Sequence, residues 1–228
     1  MIHFEHVSKN FGRTAAVSDV TFEIGSGDFV FFVGPSGAGK TTILRLITRD
    51  LLPSKGKVVV DGWDIGTLPT NKVHILRRSV GMVFQDFKLL ADRTVFENVS
   101  IGLEILGKSR AQIEKRVDEV LDLVKLGEKK NLFPAQISAG EMQRTGIARA
   151  IVAGPKILMA DEPTGNLDPE TAKNIMQVLF EINALGTTVL MATHNEGIVN
   201  EGKKRTIELI AGEIVSDKKK GSYPHGRS

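Results

Sequence analysis

The sequence predicts an α/β fold: a mostly parallel sheet core covered by helices, with an antiparallel β subdomain and a helical subdomain attached to it. Three observations predict this. Short uninterrupted apolar runs, Phe29-Val30-Phe31-Phe32-Val33, Ile157-Leu158-Met159-Ala160 and Thr188-Val189-Leu190-Met191-Ala192, have the character of strands buried on both faces. Segments of helical periodicity stand between them. The first run leads into Gly34-Pro35-Ser36-Gly37-Ala38-Gly39-Lys40-Thr41-Thr42, which meets the pattern G-x-x-x-x-G-K-[ST] in full and continues into a helix.

Taken in order, Met1 to about Gly27 shows fragments of alternation at Phe4, His6, Val17, Val20, Phe22 and Ile24, with turns at Gly12 and Gly25-Ser26-Gly27. After the glycine-rich loop, Ile43, Leu44 and Ile47 mark the buried face of a helix that ends near Pro53. Lys57 to Val60 continues the β pattern and Asp61-Gly62 is a turn signal. Gly81-Met82-Val83-Phe84 is a short strand that stops at Gln85-Asp86. Phe96, Val99, Ile101, Leu103 and Leu106 suggest one helix, and Ile113, Val117, Val120, Leu121 and Val124 a second from about 111 to 124, with Ser109 as N-cap. These helices form a lobe inserted at about 94–150. The β/α alternation then resumes, with a helix over about 170–183 and a closing hairpin of Thr206 to Ile210 and Glu213 to Val215 joined at Ala211-Gly212. One domain over 1–217 and a basic, flexible tail over 218–228 are expected.

Composition narrows the class. The 228 residues are 41% hydrophobic and 25% charged, the balance of a soluble globular protein. A net charge of +3 is spread along the chain apart from Lys203-Lys204-Arg205 and Lys218-Lys219-Lys220, so nucleic acid is not an expected partner. The absence of cysteine excludes disulfides, thiolate metal sites and thiol catalysis. The first residues lack the pattern of a secretory signal, and no apolar run approaches the roughly 20 residues that span a bilayer. Any membrane-spanning part is therefore expected in another chain.

The glycine-rich loop has a definite chemistry. Its glycines permit a tight turn in which successive N–H groups point at phosphate oxygens, and the helix opening at Gly39 adds its positive end. Lys40 is a point charge for the β- and γ-phosphates, and the Thr41 hydroxyl is placed for Mg²⁺. A nucleoside triphosphate is the ligand this implies. Asp161-Glu162 ends a buried strand, the position at which open α/β sheets bind ligands. Asp161 is then placed to hold Mg²⁺ through water, and Glu162 to polarise a water aligned on the γ-phosphorus. His194 follows the strand Thr188 to Ala192 and is placed to donate to a γ-phosphate oxygen. Gln85 ends its own strand in reach of Mg²⁺ or the attacking water. Alone, each would read as a solvated acidic turn, a surface histidine or an unremarkable glutamine; the phosphate-binding loop in the same chain makes them a set.

In this order, these residues are the motif set of the ATP-binding-cassette (ABC) ATPases, and the resemblance covers essentially the whole chain. Gly34 to Thr41 is similar to the family's Walker A motif, Gln85 to its Q-loop and Ile157 to Glu162 to its Walker B motif. Ile137-Ser138-Ala139-Gly140-Glu141 corresponds to the signature, Gly165-Asn166-Leu167-Asp168 to the D-loop and His194 to the switch histidine. Phe11 stands where the family has an aromatic residue that stacks on adenine. The implied fold is a P-loop NTPase of the ABC ATPase type, and the implied cofactors are ATP and Mg²⁺. ATP contacts are implied for Phe11, Ser138, Gly140 and Asp168, with Ser138 and Gly140 closing on the γ-phosphate held by a second copy of the chain in an ATP-sandwich homodimer. Ser138-x-x-Glu141 also has the spacing of a capping box, a structural use compatible with an anion site. The sequence departs from the family in Ala139, where the first signature glycine belongs, which implies a crowded approach and slower turnover or weaker closure.

Within the family, Phe84 to Leu90, Thr94 to Val99, Gly165 to Pro169 and Met191 to Asn195 resemble the ATPases of bacterial cell division. That resemblance implies ATP hydrolysis at the cytoplasmic face of the cell membrane, held there by an FtsX-like integral membrane protein, with control of peptidoglycan hydrolysis outside the cell. Two other readings are an ATPase of lipoprotein-releasing or small-molecule export, which shares Pro163 to Asp168, and an ATP-dependent scaffold with little hydrolysis.

Overall fold

In the computed structural model, which describes residues 1–219 and 221, the chain opens on a long antiparallel hairpin, β1 (Ile2–Phe11) and β2 (Thr14–Ile24). Sequence alternation predicts only fragments of these strands, and the pairing shows why. Register shifts fall between Phe4 and Val7, Val7 and Lys9, and Lys9 and Asn10. Each shift moves the following side chains to the other face, so the pattern breaks while the strand continues. His6 and Asp19 both take a left-handed φ of 48° there, with His6 Nδ1 2.9 Å from Asp19 Oδ1.

β3 (Phe29–Val33) runs into the glycine-rich loop and α1 (Lys40–Ile47). The helix stops at Ile47, well before Pro53, because the chain turns at Arg49, whose φ is +55°. The apolar Leu51 and Leu52 conceal that stop in the sequence. β4 (Lys55–Val60) and β5 (Trp63–Asp64) follow, then α2 (Val73–Arg78) and β6 (Val80–Val83). The helical lobe comprises α3 (Val95–Ile105), α4 (Arg110–Leu123) and α5 (Ala139–Ile151). Thr94, Ser109 and Ser138 each begin one of these helices with a complete capping box, which fixes their starts within the chain's own local chemistry. β7 (Ile157–Asp161), α6 (Pro169–Ala184), β8 (Thr188–Ala192), α7 (Glu196–Gly202), β9 (Arg205–Ile210) and β10 (Glu213–Lys218) complete the fold. The helices α2 and α7, which sequence periodicity does not reveal, have 6 and 7 residues, too few to display a repeating apolar face. The last strand includes Lys218, one position beyond the expected end of the domain; Lys220 and 222–228, most of the expected tail, lie outside the described residues.

Two sheets result. One is antiparallel in the order β2-β1-β4-β5, and the other has the order β10-β9-β3-β8-β7-β6, parallel from β9 through β6 with β10 antiparallel at its edge. The centre of the larger sheet explains its uninterrupted apolar sequence. Phe29, Phe31 and Val33 of β3 face a core shared with α3 to α6. Val30 and Phe32 face a second core that holds α1 between the two sheets. Phe22 joins the sheets there, stacked on Phe4 at 4.4 Å and edge-on to Phe32 at 5.6 Å. The carboxyl ends of β3, β6, β7 and β8 therefore open on one side of the larger sheet, framed by the hairpin and the helical lobe. Among the described residues no helix is long and apolar enough to cross a membrane.

Candidate nucleotide-binding and hydrolytic site

A cleft of about 990 Å³ lies at those strand ends. Its floor is the loop from Pro35 to Thr42, and its walls carry Gln85, Asp161, Glu162, Asn166 and His194. The loop is shaped by close packing as well as by its own glycines. Gly39 caps α1 with a φ of +104°, and a Cβ on it would meet the Ala16 carbonyl oxygen of β2 at 2.6 Å. Only glycine satisfies both the left-handed turn and the approach of the hairpin. The Gly212 N–H donates to the Ala38 carbonyl at 3.1 Å, so the β9–β10 turn braces the same loop.

Lys40 is nearly buried, and its ammonium donates to the carbonyl oxygens of Gly34 at 2.7 Å and Pro35 at 3.0 Å. Burial lowers its pKa below the ordinary lysine value, while attraction to Glu162 and then Asp161 pulls the other way without offsetting it. Asp161 ends β7 beside α1 and accepts from the Thr41 hydroxyl, at 3.1 Å to Oδ2. Burial raises its pKa; the Thr41 hydrogen bond opposes this, the Glu162 charge adds to it and Lys40 opposes it. A hydroxyl and a carboxylate oxygen this close are hard donors suited to Mg²⁺, a cation that keeps few protein ligands and shares the rest of its shell with water and phosphate. The donor set thus fits the ion.

Glu162 sits at a left-handed φ of +50°, unusual for a side chain of its kind. Its N–H donates to the Ala192 carbonyl at 2.9 Å, its own carbonyl accepts from Gly165 N–H at 3.1 Å, and its Oε1 lies 2.7 Å from His194 Nδ1. The Glu162 side chain is largely covered while His194 is two-thirds exposed. In this contact the carboxylate oxygen accepts and the imidazole Nδ1–H donates, which orients the ring at the mouth of the cleft. Gln85 Nε2 donates to Asn166 Oδ1 at 3.4 Å, and Asn166 Nδ2 donates back to the Gln85 carbonyl at the same distance. Asn166 is a cleft residue that motif reasoning included in a loop without assigning it a place. Lys88 also lines the cleft; as an isolated lysine in a loop it gives no sequence signal.

Five of the residues expected to touch ATP stand outside the lining of this cleft, the first being Gly34 at the start of the loop, whose carbonyl accepts from Lys40. Phe11 ends β1, is 48% exposed and carries the Lys9 ammonium 5.3 Å from its ring centroid. Ser138 and Gly140 begin α5 in the helical lobe, and Asp168 caps α6 through the Thr171 N–H at 2.9 Å. Ser138 closes its capping box with Glu141, whose pKa is lowered first by the Ser138 N–H. Gly140 has a structural requirement of its own, since a Cβ on it would meet Thr171 Cγ2 at 2.4 Å. Ala139 is the first helical residue, exposed and without a positive φ, so its methyl group brings no backbone strain.

Residues 17–165 match the protein family described as ABC transporter. The chain is 49% identical to the cell division ATP-binding protein FtsE of Bacillus subtilis over 224 residues, covering 98% of each chain. It is 46% identical to FtsE of Mycobacterium tuberculosis, again over 98% of both, and 47% identical to FtsE of Escherichia coli K12, over 94% of this chain and 97% of that one. Among solved structures it is similar to the ATP-binding cassette MJ0796 in a dimeric post-hydrolysis state bound to ADP and Pi. That likeness has a TM-score of 0.86 and 34% identity, and covers 98% of this chain and 100% of the other. CbiO1 of Clostridium perfringens, part of the complex cbiONQ, superposes with a TM-score of 0.90 at 30% identity, over 96% of this chain and 88% of that one.

Proposed function

The chain belongs to the ABC transporter family of ATP-binding subunits, and on that premise we propose that it is the ATP-hydrolysing subunit of an FtsE-like cell-division complex. The observation that carries the enzymatic part is the Glu162–His194 contact beside the phosphate-binding loop. The loop N–H groups and Lys40 would bind the phosphates, and Thr41 and Asp161 would hold Mg²⁺, which would supply charge neutralisation for phosphoryl transfer. Glu162 takes a proton from the attacking water, with His194 keeping its carboxylate oriented. Gln85, at the end of the strand next to that of Glu162, orients that water, and Phe11 offers its ring face to adenine.

Two copies complete the site. The dimeric cassettes to which the chain is similar support a homodimer, with Ser138 and Gly140 of one copy placed on the γ-phosphate held by the other. Ser138 then has two duties that substitution separates. Ser138→Asp keeps an N-cap oxygen, so chemical stability should stay within about 0.5 kcal/mol of wild type, while its charge repels the phosphate and ATP-dependent dimerisation is lost. Ser138→Ala should cost about 1 kcal/mol of stability and weaken dimerisation less. Urea unfolding together with light scattering in ATP reads both. Equal dimerisation by the aspartate variant would remove Ser138 from the composite site.

The partner is an FtsX-like integral membrane protein. A groove of about 910 Å³ between the sheet edge and the lobe is lined by the apolar Val80, Met82, Ile105 and Leu106 and by Arg49, His74, Arg78, Lys88 and Arg149. Apolar contact together with basic side chains suits an amphipathic, acidic cytoplasmic segment. This groove adjoins Gln85 through Phe84 and Lys88, which line both cavities, so nucleotide state has a short path to the partner. The test is recovery of partners from membranes of the source cell with the Glu162→Gln protein and ATP. Co-recovery of an integral membrane protein with cell-wall hydrolase components is expected. Recovery of a lipoprotein-releasing or efflux permease would replace the cell-division reading with the export one.

A further inference from the structure

The loop that carries Gln85 leaves the sheet at the end of β6, yet the helical lobe grips it along its length. Gln143 of α5, fully buried, donates from Nε2 to the Phe84 carbonyl at 3.3 Å. Arg149 of the same helix donates from Nη2 to the Phe87 carbonyl at 2.9 Å and from Nη1 to the Lys88 carbonyl at 2.7 Å. Asn98 of α3, also buried, donates to the carbonyls of Leu90, Arg93 and Thr94 at 3.0 Å and accepts from Leu90 N–H at 2.8 Å. Gln85 thus lies between two attachments to a single helix.

The Arg149 contact has the features of a constraint rather than of ordinary packing. Phe87 and Lys88 are successive non-glycine residues with φ of +57° and +47°, a backbone state that persists only where surrounding structure enforces it. Arg149 supplies two parallel donors to those two carbonyls from one planar group, a geometry no other side chain reproduces. Among the described residues no carboxylate pairs with it, and burial lowers its pKa below the ordinary arginine value. A half-buried cation whose donors go to backbone carbonyls of a left-handed turn holds that turn in place. Arg149 is in the last turn of α5, whose N-cap is Ser138 and whose first turn holds Gly140.

We propose that Arg149 is a positioning residue for Gln85. By fixing the left-handed turn at Phe87-Lys88 to α5, it sets where Gln85 stands relative to Asp161 and Glu162 and makes the loop follow any shift of that helix. The inference rests on the reading of Gln85 as a residue that orients the attacking water.

A double-mutant cycle on the full-length chain tests it, with steady-state Mg²⁺-ATPase rates for Arg149→Met, Arg149→Lys, Gln85→Ala and the pairs. Arg149→Met should lower kcat about tenfold or more with KM for ATP within about twofold, the mark of lost positioning rather than lost binding. Arg149→Lys, with a single donor centre, should fall between. In the Gln85→Ala background, either Arg149 substitution should lower kcat no further. Binding of a fluorescent ATP analogue reports whether each variant is folded, and Arg149→Lys carries the cycle if Arg149→Met is not. The same loss of kcat with and without Gln85 would overturn the positioning role while leaving that of Gln85 intact. An unchanged kcat in Gln85→Ala alone would overturn both.

Discussion

Glu162→Gln should lower the rate of ATP hydrolysis by about a thousandfold, within the range expected when a general base is removed. The amide has the size of the carboxylate and its oxygen can still accept from His194 Nδ1, so the 2.7 Å contact can survive the substitution. What disappears is the capacity to take a proton from water. The phosphate-binding loop, Lys40 and Thr41 are untouched, so ATP should bind as before or more tightly, because one of two neighbouring carboxylates no longer repels the γ-phosphate. ATP-bound dimers should then accumulate on gel filtration in Mg²⁺-ATP, while single-turnover phosphate release nearly stops. An unchanged single-turnover rate would exclude Glu162 as the base and direct attention to Gln85 or to a mechanism led by His194.

Lys40→Met should produce the second large effect, on nucleotide affinity. Charge-assisted hydrogen bonds to phosphate contribute about 1.5–3 kcal/mol each, so affinity for ATP should fall about 10- to 100-fold. The nucleotide-free protein should respond in the opposite sense. Burial lowers the Lys40 pKa even though Glu162 and Asp161 both attract its charge, so the folded protein disfavours the ammonium relative to water. Between the lowered folded pKa and the ordinary value of 10.5, the unfolded chain binds more protons, and stability rises with pH across that window. Below the window the charged group reduces stability, and a methionine of similar length removes that cost. Thermal unfolding without nucleotide should therefore show a Tm at or above wild type, without the rise toward alkaline pH that Lys40 causes. Added ATP at one fixed concentration should raise the Tm of wild type more than that of Lys40→Met. A large drop in Tm without nucleotide would mean that the hydrogen bonds to Gly34 and Pro35 hold the loop together, contrary to this argument.

These two predictions concern residues whose chemistry was legible from the chain alone, and the reason is locality. A glycine-rich loop followed by Lys-Thr, a strand that ends in Asp-Glu, the N-cap at Ser109 and the capping box at Ser138 are governed by interactions over a few residues, so sequence and spacing suffice to determine them. The uninterrupted apolar run of β3 likewise announced a strand buried on both faces, as the two cores around it bear out. Tertiary structure decided what depends on the pairing of distant segments. The bulged register of β1 on β2 broke the alternation by which both strands would be recognised. The parallel pairing of Asp161 with Ala192 sets β7 beside β8, and so brings Glu162 to His194. Docking of α5 against the loop after β6 set the left-handed pair Phe87-Lys88 and the place of Gln85, neither of which has a local signal. Sequence by itself determined the chemical groups and the elements that carry them, because those follow from near-neighbour rules. Only the fold determined which groups share the cleft and which of them, Phe11, Gly34, Ser138, Gly140 and Asp168, stand outside its lining in a single chain, because that arrangement is set by contacts between residues far apart in sequence.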